Sequence, residues 1–234
     1  MRKTSMIAGV ILGLALLLLS PTRSTALTIE LDYVFSGDTP SGKVLPWLTA
    51  TFENVTGGVQ LTLSASGLTG GEFVQGNDKG SGQFGWGFNF LNDTSVAELE
   101  FKYQSEGSTG PQASAVLKGT DQFNAGAQGG DFDILFIWDN KNRFGSGDTA
   151  VYLISGIDGL NDGYFDVTSE NGGGEGIYRS AAHVQGIPIE IINGKREGSA
   201  WIADGAPVPE PATMFLLGSG LIGVGVFVRR KFRK

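Results

Sequence analysis

A two-residue alternation of apolar and polar side chains recurs through the middle of the chain and constrains its fold more than any other feature. In the first such segment Ile29 and Leu31 fall on one side, while Glu30 falls on the other. Because successive side chains of a β-strand point to opposite faces, this alternation is typical of half-buried strands. We predict strands at residues 29–35, 48–52, 59–65, 84–90, 97–103, 113–118, 132–138, 150–154, 164–167, 187–192 and 200–202.

Glycine-rich gaps separate the predicted strands. The chain contains 37 glycines in 234 residues, and they gather at gaps such as residues 76–82 and 107–110. Short alternating strands between such turns favour an all-β, antiparallel β-sandwich, jelly-roll-like, as one domain over residues 27–204. Residues 132–138 are apolar on both sides, which predicts a central strand, and the aromatic stripe at residues 84–90 is predicted to be core rather than a sugar platform.

The amino terminus has the three parts of a secretory signal peptide. Arg2 and Lys3 precede an uncharged apolar run over residues 6–19, and small residues, Ser24 and Ala26, stand at the positions that signal peptidase reads. We therefore predict a signal helix in residues 1–26, cleaved after Ala26 by signal peptidase. An uncleaved amino-terminal anchor is the alternative.

The carboxyl terminus has a second apolar segment. Residues 214–228 carry no charge, and with Thr213 they are predicted to form a transmembrane helix over residues 213–228. The basic tail, residues 229–234, should stay in the cytoplasm by the positive-inside rule, which leaves residues 27–204 outside the cytoplasm. The cations of the basic tail are Arg229, Arg230, Lys231, Arg233 and Lys234.

A proline-rich linker, residues 205–212, joins the body to this apolar segment. Pro209, Glu210 and Pro211 lie within it, and the prolines exclude helix and favour an extended arm. The order Pro-Glu-Pro, glycine-bearing apolar segment, basic tail resembles the PEP-CTERM protein-sorting signal. That resemblance implies a Gram-negative bacterium that exports proteins alongside exopolysaccharide. It also implies that exosortase, a membrane transpeptidase, recognises Pro209, Glu210 and Pro211 while the chain is held transiently in the inner membrane.

The body shows a second resemblance. The segments LDYVFSGDTP, PWLTATFENV, GWGFNFLND, FDILFIW, AAHVQGI and GSAWIAD, in this order, resemble a set of secreted PEP-CTERM proteins whose body has no assigned activity. This resemblance implies no catalytic residues.

Charge and composition exclude several classes of function. Residues 27–228 hold nine basic and 24 acidic residues, a net charge of −15, so binding of nucleic acid through phosphate neutralisation is excluded as a partner class. The absence of cysteine excludes disulfides, thiol catalysis and cysteine-ligated metals, and a single histidine excludes multi-histidine zinc sites.

One acidic segment partly fits a calcium-binding loop. Asp158, Asp162 and Asp166 occupy the first, fifth and ninth positions of such a loop. Leu160 and Ser169 stand at the third and twelfth positions, where oxygen-rich ligands belong. We therefore predict no metal and no cofactor, with Ca²⁺ at these aspartates as the alternative.

Candidates for catalysis are few, and we predict that the protein is not an enzyme. Asp131, Asp133 and Asp139 flank the strand predicted at residues 132–138 and are interpreted as charges that protect a strand edge. His183 is the sole candidate general base, no Gly-x-Ser-x-Gly nucleophile motif occurs, and we interpret it as a hydrogen-bonded structural histidine.

The leading hypothesis is an exported envelope or extracellular protein whose body is structural or associated with the extracellular matrix. The alternative is a carbohydrate- or calcium-binding module that acts within exopolysaccharide. A third hypothesis, a polysaccharide hydrolase, requires two carboxylates about 5 to 9.5 Å apart in a cleft.

Overall fold

The structure is a computed structural model that describes residues 26–76, 84–126, 129–170, 177–191 and 194–205. The predicted signal helix, the PEP motif, the transmembrane helix and the basic tail lie outside these residues. Within the described ranges, none of the helices has the length and apolar character that crossing a membrane requires.

Strands make up most of the described chain. Their bounds are β1 Leu27–Gly37, β2 Leu48–Val55, β3 Gly58–Ser64, β4 Phe73–Val74, β5 Trp86–Phe88, β6 Glu100–Gln104, β7 Ala115–Asn124, β8 Asp131–Ile137, β9 Phe144–Gly145, β10 Thr149–Ser155, β11 Ser180–Ile191 and β12 Gly194–Asp204. Two short 3₁₀ helices, Asp93–Glu98 and Asp162–Phe165, accompany them. The prediction of an all-β fold is therefore confirmed.

All strand pairs are antiparallel and belong to one continuous sheet. Its order is β6-β10-β3-β2-β1-β12-β11-β5-β8-β7, with β4 paired to β11 and β9 paired to β4. We call β6-β10-β3-β2-β1 the first half of the sheet and β12-β11-β5-β8-β7 the second half. The two halves pack face to face, so the expected sandwich is built from a single folded-over sheet.

The main core lies between the two halves, and Phe136 on β8 joins them. Its ring centroid is 5.1 Å from that of Tyr152 on β10 and 5.4 Å from that of Phe101 on β6, both in the first half. It is also 5.9 Å from Phe88 on the neighbouring strand β5. Edge-to-face contacts of this kind add to the burial of apolar area.

A second, smaller cluster covers the outer face of the second half. Leu135 and Ile137 of β8 belong to it, while Ile134 and Phe136 belong to the main core. Since β8 is buried on both faces and lies between β5 and β7, the predicted central strand at residues 132–138 is confirmed. The other buried members of the smaller cluster are Phe35, Phe123, Ala125, Phe132, Tyr178, Ala181 and Ala203.

The strand predicted at residues 164–167 is wrong. Residues Asp162–Phe165 form a 3₁₀ helix, because the side chain of Asn161 caps it by accepting a hydrogen bond from the Gly163 N–H. Phe165 is buried by this turn and stacks on Phe52 with 4.4 Å between ring centroids. The apolar residues of this segment therefore come from a buried turn and not from strand alternation.

The predicted bounds of other strands also change. The 3₁₀ helix at Asp93–Glu98 delays β6 to Glu100, and β5 is limited to Trp86–Phe88. Trp86 and Phe88 are buried in the main core as predicted, but Phe84 stacks on His183 instead. Near the carboxyl end, the two short predicted strands are parts of one long hairpin, β11 and β12.

Lys118 on the edge strand β7 closes the gap that the folded sheet leaves beside β6. Its ammonium group donates hydrogen bonds to the carbonyls of Ala97, at 2.9 Å, and of Leu99, both at the 3₁₀ turn that precedes β6. Hydrogen bonds from a charged donor contribute more to stability than neutral ones. Lys118 thus ties the two ends of the strand order together.

Replacing Lys118 with methionine should lower the free energy of unfolding by about 1.5–3 kcal/mol, because it leaves two carbonyls without their charged donor. Lys102→Met is the matched control, since Lys102 is exposed on β6, and it should change stability by less than about 0.5 kcal/mol. Urea unfolding followed by tryptophan fluorescence measures both. Equal stability losses in the two variants would contradict the proposed closure.

Candidate functional site

The chain leaves the described body at Gly205, beside a cleft of about 350 Å³ that we call the exit cleft. Asp204 ends β12 between β1 and β11, where its backbone pairs with Leu31. The lining of the exit cleft is Thr28, Glu30, Asp32, Arg179, Asp204 and Gly205. The described body therefore ends at a largely charged surface.

Asp204 is the most strongly held side chain of the exit cleft. Its carboxylate accepts hydrogen bonds from the backbone N–H of Arg179 at 2.9 Å and of Ser180 at 3.1 Å. The Nε of Arg179 donates a third, at 2.9 Å, and the side chain of Asp204 is only 8% exposed. A buried carboxylate is tolerated in a fold when it is paired and hydrogen-bonded in this way.

Arg179 also holds a second carboxylate. Its Nη1 lies 3.1 Å from Asp166, whose side chain is half exposed, so this second pair contributes less than the first. Burial raises the pKa of Asp204, and the hydrogen bonds from Arg179 and Ser180 oppose that shift. Burial lowers the pKa of Arg179, but its hydrogen bonds to Asp204 and Asp166 outweigh burial and raise it, so the guanidinium stays charged.

A second cleft, of about 440 Å³, is lined by carboxylates and is called here the acidic cleft. Its floor is Asp133, which is 3% exposed and accepts hydrogen bonds from the backbone N–H groups of Phe90 and Asp121. The bond to Asp121 accompanies a positive φ of 49° at that residue, in the bulge of β7. The other lining residues are Asn89, Leu91, Asp166, Val167, Thr168 and Glu170.

The aspartates considered as an alternative calcium site have different partners. Asp162 accepts a hydrogen bond from the side-chain amide of Asn54 at 2.8 Å, and Asp166 pairs with Arg179. Asp158 is exposed on the preceding turn. Over the described part of the chain, no three carboxylate or imidazole groups are placed to hold a metal ion.

The three aspartates near β8 have separate structural roles. Asp133 is buried in an interior strand, so its interpretation as an edge-protecting charge is wrong. Asp131 accepts a hydrogen bond from the side chain of Asn124 at 2.9 Å. Asp139 accepts hydrogen bonds from the backbone N–H groups of Asn142 and Lys141, which lower the pKa of its carboxyl.

His183 lies on β11 within an aromatic group. Its ring centroid is 4.7 Å from that of Phe84 and 5.0 Å from that of Trp201, and the residue is 7% exposed. Its backbone is hydrogen-bonded, but its Nδ1 has no hydrogen-bond partner among the described residues. The sequence interpretation of a hydrogen-bonded structural histidine therefore holds for the backbone only.

Arg179 and Asp204 were not singled out by sequence reasoning. They are 25 residues apart, and neither lies in a local motif. One feature of the sequence could have indicated this pair. Arg179 is the sole lysine or arginine between Arg143 and Lys195 in a strongly acidic chain, and a partly buried cation needs a carboxylate partner.

Comparison with known proteins identifies the segment that follows the exit cleft. Residues 207–231 match the family model of the PEP-CTERM protein-sorting motif. No match was found among curated proteins or among solved structures. The matched segment contains Pro209, Glu210 and Pro211, all of which lie outside the described residues.

The chain thus carries a PEP-CTERM protein-sorting signal at residues 207–231. Such a signal implies export, anchoring at the membrane during processing, and sorting by exosortase toward the cell envelope.

The burial of His183 predicts a pH-dependent stability. Burial lowers the pKa of His183 from 6.5 to about 4, so between these pH values the unfolded chain binds a proton that the folded chain does not. The free energy of unfolding should therefore fall by about 3 kcal/mol as the pH decreases through this range, in addition to the contribution of carboxylates. Urea unfolding at pH 7.5, 5.5 and 4.5 measures this loss.

His183→Phe is the control for this prediction, because it keeps a ring between Phe84 and Trp201 and cannot titrate. The variant should lose less stability over the same pH steps. An identical pH dependence in the two proteins would show that His183 does not bind its proton as described.

Proposed function

We propose that residues 27–204 form a non-enzymatic structural domain of the cell envelope or extracellular matrix. The sorting signal holds it transiently at the inner membrane until exosortase processes the chain in the PEP region. The observation that carries the proposal is the position of the family match, which begins at residue 207, two residues beyond Gly205.

The position of β12 in the sheet supports this proposal. Since β12 lies between β1 and β11 and ends at Asp204, a cut beyond Gly205 removes no described strand. All the buried core residues that the structure describes between the two halves lie before the sorting segment. The body can therefore remain folded after its anchor has been removed, as an exported structural domain must.

The hydrogen bonds and ion pairs of the carboxylates support a structural rather than a catalytic role. Asp133 is buried with both oxygens bonded to backbone N–H groups, and Asp166 pairs with Arg179. Carboxylates that act as general acid or base need free access to a substrate. The absence of enzyme activity remains a prediction of this proposal.

Changing Pro209, Glu210 and Pro211 together to alanine should prevent processing, because the extended recognition segment is lost. The uncleaved precursor should then accumulate in the membrane fraction, as measured by fractionation and intact-mass spectrometry. Val208→Ala in the same linker is the matched control and should be processed normally. An unchanged mature carboxyl terminus in the triple variant would refute the proposed role of the motif.

The acidic cleft favours the second candidate function, a module that binds carbohydrate or calcium within exopolysaccharide. It combines carboxylates with the exposed apolar side chain of Leu91, and sugars are commonly bound by polar groups beside an apolar surface. This candidate differs from the structural role in requiring a ligand.

If the body is purely structural, isothermal titration should detect no heat of binding for CaCl₂ up to millimolar concentration, and a bacterial glycan array should show no specific signal. Asp121→Asn would serve as the matched variant for any signal found, since Asp121 lines the cleft. Specific binding that this variant abolishes would overturn the structural proposal in favour of the binding module.

A further inference from the structure

The strand β12 lies between β1 and β11, and its backbone hydrogen bonds end at Asp204. On one side β12 pairs with β1 only as far as Leu31↔Asp204, although β1 itself continues back to Leu27. On the other side its last pair with β11 is Ala181↔Ala203. A strand that ends beside a continuing neighbour, as β12 does beside β1, can fray from its end unless side chains hold it.

The side chain of Asp204 continues the contact where the ladder ends. It accepts from the backbone N–H groups of Arg179 and Ser180, the residues at which β11 begins, and from the Nε of Arg179. These are three hydrogen bonds to a charged acceptor that is almost fully buried, and such bonds are stronger than neutral ones. The last residue of the body is therefore held more firmly than backbone pairing alone would hold it.

We infer that Arg179 and Asp204 form a clamp that keeps the end of β12 in the sheet and so sets the body-side limit of the segment open to proteolytic enzymes. The clamp protects the strand that precedes the linker. This inference deepens the proposed function, on which its biological consequence rests, and assigns both residues a positioning role.

The next firm contacts along β12 define what happens without the clamp. Ala203 and Ile202 are fully buried, and each pairs with β1 on one side and with β11 on the other. Fraying from Gly205 should therefore stop at Ala203. About two residues would be released, which lengthens the accessible segment by roughly 7 Å when extended.

The test uses the full chain purified in detergent from cells that lack exosortase. Proteinase K digestion followed by intact-mass measurement locates the carboxyl end of the resistant fragment, and hydrogen exchange reports the amides of residues 201–205. The wild-type fragment should end at residue 204 or 205, with slow exchange at Ala203. In Asp204→Asn it should end at residue 203, with faster exchange confined to residues 203–205.

Two variants control for the change of charge. Asp32→Asn makes the same carboxylate-to-amide change in the exit cleft, and Asp166→Asn removes only the exposed partner of Arg179. Both should keep the wild-type fragment and exchange rates. A wild-type boundary in Asp204→Asn, or an equal shift in Asp32→Asn, would overturn the clamp.

Arg179→Gln covers the case in which Asp204→Asn does not fold. This variant keeps the two hydrogen bonds from backbone N–H groups and loses the one from Nε. Hydrogen exchange at residues 203–204 should therefore increase, but by less than if all three bonds to Asp204 were lost. Unchanged exchange in Arg179→Gln would also overturn the inference. Because these measurements need no exosortase, they can fail or succeed independently of the PEP-motif experiment.

Discussion

The fold depends on the contact of Phe136 with both halves of the sheet. One long antiparallel sheet has two faces, and its apolar residues leave water only if the sheet folds onto itself. Phe136, fully buried on β8, contacts Phe101 and Tyr152 from the opposite half. Its burial fixes where the second half lies over the first, and the remaining core residues fill the space between them.

Closure of the sheet determines where the ion pair of Asp166 with Arg179 and the acidic cleft lie. The two ends of the strand order meet at the 3₁₀ turn Asp93–Glu98, where Lys118 donates to the carbonyls of Ala97 and Leu99. The same turn-rich end of the body presents Asp166, which faces the acidic cleft and binds Arg179. The described chain ends at Gly205, beside Arg179 of this ion pair.

The body and the sorting segment differ in how the sequence specifies them. The body is stabilised by burial between strands far apart in sequence, which a local motif cannot encode. The sorting signal is local: it consists of the sequence Pro-Glu-Pro, an apolar stretch and a basic tail in a fixed order. The segment over residues 207–231 matches a family model, while no curated protein or solved structure matched the chain.

The sequence alone determined the strand-rich class, the central position of residues 132–138 and the sorting signal, because each depends on periodicity or order within a short segment. It could not determine that residues 162–165 turn rather than extend, since Asn161 and the ring of Phe52 decide that. The pairing of Arg179 with Asp204 and the unpartnered Nδ1 of His183 were also decided by the tertiary structure. Such contacts form only when β11 pairs between β12 and β5 in the folded sheet. Pairing buries some polar groups, and those groups then need hydrogen-bond partners.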